Sequence, residues 1–379
     1  MEPKTITLYP LYPSGALSQG EHERMYINWK GIHPLQGTIN VPEKVIQSPD
    51  FWLIQLHELM HAYYYPYRDE IYEYFVSYIY DQMRKGRINS GDSDIYVPIM
   101  VRKEDVNKVP PILKVIYKMK DGGAVISAKM NEAGVAHHIL LSQCEELFVD
   151  FFSTAAAGIA YWETVLDFEV GCDENHVHWT KSSWDPHYPH LYEPHPVPCF
   201  RFRLLPEIMC KHIGATLINI SKEEAQSAAD NLNQEIKTFM SSKISNIKGD
   251  VAIYSNNAAP PEVVTISMPM QIMRQYYELA CEAFRSLMTK WFNTSHPLAM
   301  FVVQFSRADH QNRIVNFRKQ FEKEEIPLCD SLFDQIVIAA AARSYCDLKR
   351  NNINPKFAEI VKETFNRSKG RVQSFITYE

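Results

Sequence analysis

The sequence predicts an α+β fold in two parts, on three observations. Residues 24–29 and 37–42 are short runs rich in β-forming residues between turn residues, which predicts a small sheet. Residues 51–65 contain neither Gly nor Pro and predict a helix. After Ser221 the chain becomes mainly helical. At 379 residues it is long enough for two domains, which we place at 1–215 and 216–379.

The first helix carries the most informative motif of the chain, His57-Glu58-Leu-Met-His61. Histidines four positions apart share one face of a helix, so both rings can reach one metal ion. The neighbouring side chains are uncharged, which favours a buried helix. A surface helix with two spare histidines is the alternative.

The ends of this helix are also marked in the sequence. Ser48 is suited to cap its start and Pro49 to occupy its first position, and Pro66 ends it. A second helix is expected over residues 69–84, ending near Gly86. Its stripe of aromatic residues indicates core packing, with a substrate groove as the alternative.

A catalytic zinc site usually takes three protein ligands and keeps one position open. The third ligand is expected from a later segment of helical periodicity, where Glu146 and Asp150 lie four positions apart. If Glu146 binds the metal, Asp150 can accept the free ring N–H of a ligating histidine. Choosing Glu145 instead would put Val149 at that position, where it accepts nothing. An acidic patch at a helix start is the alternative.

A proline-rich segment with His195 and Arg201 completes the pattern. A stiff turn that leads into a helix could bring both side chains near the open side of the metal, where negative charge develops on the substrate oxygen. A loop with a surface histidine is the alternative.

The order H-E-x-x-H, then E-x-x-x-D, then H-P with an arginine six residues after the histidine resembles the gluzincin peptidases related to the CAAX prenyl proteases and the heat-shock membrane metallopeptidases. The resemblance implies a zincin-like metallopeptidase domain with a small sheet and an active-site helix, followed by a mainly α-helical domain. It implies one zinc ion per chain. The residues it assigns are His57, His61 and Glu146 as zinc ligands, Glu58 as general base, Asp150 behind a ligand, and His195 with Arg201 as stabilisers of the tetrahedral intermediate.

Composition limits the remaining options. A net charge of −6 argues against nucleic-acid binding, and no apolar run approaches the roughly 20 residues that span a bilayer. The longest, residues 336–342, indicates a core helix. No secretory signal is expected at the N-terminus, and seven scattered cysteines favour a cytoplasmic setting. The histidines of segment 167–198 show no spacing typical of a second zinc site.

Helices are expected in the second half near 222–243, 270–292, 308–323, 329–349 and 355–368. This half has no catalytic motif, so we expect it to select the substrate or to bind a regulatory partner. The whole pattern predicts a zinc-dependent endopeptidase acting on a restricted protein or peptide substrate. Two alternatives are a zinc-stabilised regulatory or interaction protein without proteolytic activity and a metal-dependent hydrolase of non-peptide amides or esters.

Overall fold

A computed structural model describes much of the chain, with gaps between the helices. The described residues are 3–7, 26–28, 38–40, 52–87, 94–101, 103, 106–108, 114–118, 124–131, 136–137, 139–141, 143–172, 181–183, 195–220, 234, 251–255, 267–268, 270–294, 296, 298–299, 308–326, 332–349, 353, 355–367 and 374–378.

Helices dominate this part of the chain. They are α1 (Ile54–Tyr64), α2 (Arg68–Arg84), α3 (Cys144–Ala157), α4 (Ile159–Cys172), α5 (Pro198–Arg203), α6 (Leu205–Ile220), α7 (Met270–Asn293), α8 (Ala308–Glu322), α9 (Leu332–Lys349) and α10 (Phe357–Arg367).

Short strands accompany the helices. They are β1 (Pro3–Thr7), β2 (Tyr26–Asn28), β3 (Thr38–Asn40), β4 (Asp94–Val101), β5 (Lys114–Lys118), β6 (Ala124–Asn131), β7 (Lys181–Ser183), β8 (Val251–Ser255), β9 (Ser267–Met268) and β10 (Ser374–Tyr378). They pair in separate small sheets of strand order β1-β10, β2-β3, β4-β6-β5 and β7-β8-β9.

The expected α+β class is wrong for the folded core, which is all-α with 85% helix. The buried apolar side chains of the described hydrophobic core lie on helices and on short turns beside them. The predicted strands near residues 24–29 and 37–42 do pair antiparallel as β2 and β3, with Ile27 opposite Ile39. However, a pair of three-residue strands offers too little surface to build a core layer.

Helix α1 begins later than its sequence suggests. It starts at Ile54, after a turn in which Trp52 and Leu53 are already fully buried. Ser48 and Pro49, expected at its start, lie outside the described residues. Its end is confirmed, because α1 stops at Tyr64 and a single 3-10 turn that contains Pro66 leads into α2.

Two successive helices, α3 and α4, cover the segment that carries Glu146. Gly158 separates α3 from α4 with φ 61° and ψ −141°, a conformation that side chains with a Cβ rarely adopt. The break redirects the chain, and α4 contacts both α3 and α1. This turn brings Tyr161 of α4 toward the interior of the molecule.

Helix α7 packs against α2, α3 and α6, so helices from both halves of the sequence form one core. Phe148 is central to it, with ring centroids 5.7 Å from Phe284 and 6.4 Å from Trp291. The division into domains at residue 215 stays a prediction. The predicted stripe is confirmed as core packing, because Ile71 and Phe75 are buried and the remaining members, Tyr67, Tyr74 and Tyr78, are partly buried against the core.

The core helix expected at residues 336–342 is confirmed, because these residues lie in α9 and each of them is 0% exposed. A helix that is apolar on every side belongs in the middle of a core. The helices expected near 270–292, 308–323, 329–349 and 355–368 are confirmed as α7 to α10. Most of the helix expected near 222–243 lies outside the described residues. Among the helices described, none has the length and apolar character needed to cross a bilayer.

Candidate metal centre

Helix α1 packs directly on α3, and this contact brings together the three residues predicted as metal ligands. His57, His61 and Glu146 form a group that could hold a metal ion, with ligand atoms within 4.8 Å of one another. His57 and Glu146 are buried, and His61 is partly exposed. The group therefore lies at the edge of the core, with one side toward the surface.

The distances inside this group suit a tetrahedral ion. His57 Nε2 lies 3.3 Å from His61 Nε2 and 3.1 Å from Glu146 Oε2, and His61 Nε2 lies 3.5 Å from Glu146 Oε1. Ligands about 2.0–2.2 Å from a tetrahedral zinc ion are separated by roughly 3.3–3.6 Å. The two ring nitrogens and the Glu146 carboxylate, whose Oε2 lies near His57 and whose Oε1 lies near His61, thus have approximately the spacing that one zinc ion requires.

The hydrogen bond at Nδ1 of a histidine ring determines whether Nε2, the nitrogen that faces the candidate metal site, is a donor or an acceptor. His61 Nδ1 lies 2.9 Å from Glu145 Oε1, and a carboxylate only accepts, so Nδ1 carries the proton. In the neutral ring, Nε2 then presents a lone pair to its neighbours. If the His57 ring is also neutral with its lone pair on Nε2, the two Nε2 atoms and the Glu146 carboxylate are three acceptors that face one another with no donor between them. A cation or an added proton resolves this arrangement.

The surroundings of Glu146 also indicate that a positive charge belongs at this site. Its Oε2 is buried, and the Nε2 atoms of His57 and His195 each lie 3.1 Å away. Burial alone would raise the pKa of Glu146, but His195 and His61 lower it well below its usual value. The carboxylate is therefore ionised, and a buried ionised group requires a positive partner. The donor set of two imidazoles and one carboxylate fits zinc.

A buried polar cluster lies behind His57. Its Nδ1 is 2.9 Å from the Tyr161 hydroxyl and 3.2 Å from Asp150 Oδ1, and the Tyr161 hydroxyl donates to the same carboxylate oxygen. Arg201 donates to Asp150 from Nε at 3.0 Å and from Nη2 at 2.9 Å. Asp150 is therefore held on both oxygens at the back of the His57 ring.

These contacts determine the charges in the cluster. Burial lowers the pKa of His57, but hydrogen bonds to Asp150 and Glu146 outweigh burial and raise it to about 9. Burial likewise opposes ionisation of Asp150, yet Arg201 and His57 hold its pKa below the usual range. Burial and the neighbouring Asp150 raise the pKa of Tyr161, which stays a phenol. In the metal-free protein, a proton on His57 thus occupies the place that a cation would fill.

The remaining predicted site residues lie around this centre. Glu58 is half-buried next to His57, and no ion-pair or hydrogen-bond partner for its carboxylate occurs among the described residues. His195 stands beside Glu146 with its side chain 39% exposed. Arg201 contacts Asp150 and lies 3.4 Å from His57 Nδ1, on the side of the ring away from Glu146. Its expected contact with a developing oxyanion stays a prediction.

Two residues of the centre were missed in the sequence. Glu145 was weighed only as an alternative ligand, whereas the structure puts it at His61 Nδ1. Its position next to Glu146 could have suggested this role. Tyr161 follows His57 by 104 positions, and no local pattern marks it.

A further link reaches the centre from helix α7. The Tyr277 hydroxyl donates to Gln143 Oε1 at 2.9 Å, and Gln143 Nε2 donates to the backbone carbonyl of His195 at 3.3 Å.

The loop histidines 176, 178, 187 and 190, for which no second metal site was expected, lie outside the described residues. Family models, curated proteins and solved structures give no match to this chain, so the geometry of the centre carries the functional argument.

Proposed function

We propose that the protein is a zinc-dependent endopeptidase that hydrolyses a restricted protein or peptide substrate. The observation that carries this proposal is the convergence of the His57 and His61 Nε2 atoms and the Glu146 carboxylate, at separations of 3.1 to 3.5 Å. Three protein ligands are the usual number at a catalytic zinc ion, whereas structural zinc sites usually have four.

Glu58 supports a hydrolytic role over a purely structural one. It lies one position after His57 and three before His61, so it borders the helix face that carries both rings. Its half-buried carboxylate has no partner among the residues that the structure describes, which leaves it available to a water molecule. A structural zinc site has no use for such a base.

The division of roles follows from these positions. When bound, a zinc ion supplies polarisation of a water molecule and of the substrate carbonyl. Glu58 would take the proton of the attacking water and deliver it to the leaving amine. His195, partly exposed and next to Glu146, would donate a hydrogen bond to the oxygen on which negative charge develops. Asp150 and Glu145 would keep the rings of His57 and His61 oriented.

The first experiment measures the metal content of the purified protein by elemental analysis. We expect one zinc ion per chain, lost in His61→Ala and Glu146→Gln. The matched control is His212→Ala, which removes a buried histidine of α6 that pairs with Glu278 at 2.8 Å and should leave zinc in place. Zinc retained by both ligand variants would disprove the ligand assignment.

The second experiment tests hydrolysis with a peptide library and with ester probes. Glu58→Gln should keep zinc and lose hydrolysis, while Glu73→Gln, an exposed glutamate of α2, should keep both. If Glu58→Gln behaves like the native protein in every assay, the regulatory alternative is favoured. Ester cleavage without any peptide cleavage would favour a hydrolase of non-peptide substrates.

A further inference from the structure

Tyr161 is fully buried on α4, yet its hydroxyl lies in the polar cluster behind His57. A tyrosine hydroxyl has one proton to donate. That proton goes to Asp150 Oδ1, so the hydroxyl oxygen can only accept from His57 Nδ1, 2.9 Å away. The hydroxyl thus relays a hydrogen bond from the ring to the carboxylate. The direct approach of His57 Nδ1 to Asp150 is longer, at 3.2 Å.

The direction of this relay decides which nitrogen of His57 can bind a metal. With the proton on Nδ1, the lone pair of the neutral ring lies on Nε2, the atom that faces His61 and Glu146. The 3.4 Å approach of Arg201 Nη2 to Nδ1 would need the opposite arrangement. Arg201 Nη2 has a second N–H besides the one that it donates to Asp150, but His57 Nδ1 also lies 3.2 Å from Asp150 Oδ1, which only accepts, and this contact favours the proton on Nδ1.

We propose that Tyr161 is a positioning residue for metal binding, holding the His57 ring through its hydroxyl bridge to Asp150 while Arg201 holds the carboxylate from the other side. This inference rests on the proposed zinc site. Outer hydrogen bonds of this kind typically change metal affinity by about 10–100-fold.

Zinc affinity, measured by competition with a chromogenic chelator, tests this role without relying on activity. Tyr161→Phe should weaken zinc binding by about 10–100-fold and change the visible absorption of the Co²⁺-substituted protein. The matched control is Tyr276→Phe, a buried tyrosine of α7, which should leave both unchanged.

The decisive measurement combines Tyr161→Phe with Asp150→Asn. If Tyr161 acts through Asp150, the loss of zinc affinity caused by Tyr161→Phe should largely vanish when Asp150 is already Asn. A merely structural role for Tyr161 predicts the same loss in both backgrounds, and that result would overturn the proposal.

Arg201→Lys serves as the second variant should Tyr161→Phe fail to fold. It keeps the charge but loses the two-pronged contact with Asp150, so zinc affinity should fall and the loss should again depend on Asp150. An additive loss, or none, would overturn the proposal. Wild-type protein that binds no zinc would instead refute the proposed metal site itself, whereas zinc-binding wild type with equally tight variants refutes only the positioning role.

Discussion

The protonation of His57 makes the stability of the metal-free protein depend on pH. Burial disfavours the charged ring, but Asp150 and Glu146 stabilise it more strongly, which raises its pKa from 6.5 to about 9 on folding. The difference between these two values corresponds to roughly 3 kcal/mol. Because the pKa is raised, this stabilisation is present below pH 6.5 and is lost as the pH rises toward 9.

Urea unfolding of the metal-free protein between pH 6.5 and 9 measures this effect. The free energy of unfolding should fall by roughly 3 kcal/mol across that range. His57→Gln should remove most of the dependence. His296→Gln is the matched control, because burial lowers the pKa of His296 to about 4 and its own contribution changes only below pH 6.5.

Zinc binding should depend on pH in the opposite direction and become stronger as the pH rises, since the metal requires the neutral His57 ring and displaces its proton. Apparent zinc affinity should therefore rise about tenfold per pH unit up to pH 9. A free energy of unfolding that stays flat from pH 6.5 to 9, or a slope that persists in His57→Gln, would refute this reasoning.

Three further predictions concern the surroundings of the centre. Gly158→Ala should cost about 1–3 kcal/mol in urea unfolding, because φ 61° with ψ −141° strains any residue with a Cβ, and a cost below about 0.5 kcal/mol would contradict this. Phe148→Ala should cost about 3–5 kcal/mol by the same assay, since the fully buried ring joins α1, α3 and α7, and a loss below about 1 kcal/mol would show that the ring is dispensable. Tyr277→Phe should lower kcat while zinc content stays the same, because it releases the chain that holds the His195 backbone, and an unchanged kcat would argue against that link.

The helix α1 and the proximity of its two histidines follow from local sequence, because positions four apart share one helix face wherever the helix is placed. The approach of Glu146 could also be expected, since an ionised carboxylate among large apolar residues needs a partner. The fold class could not be predicted from local spacing and residue type. Segments such as β2 and β3 do form strands, but whether strands or helices build the core depends on which surfaces pack together.

The sequence by itself determined which side chains form the candidate metal centre, and by spacing alone it put Asp150 within reach of a histidine. Only the tertiary structure decided how these rings are held. The chain changes direction at Gly158 and Tyr161 of α4 meets His57, while α5 carries Arg201 to Asp150. The physical reason is that hydrogen bonds between residues 50 to more than 100 positions apart depend on how helices pack, which no local periodicity encodes.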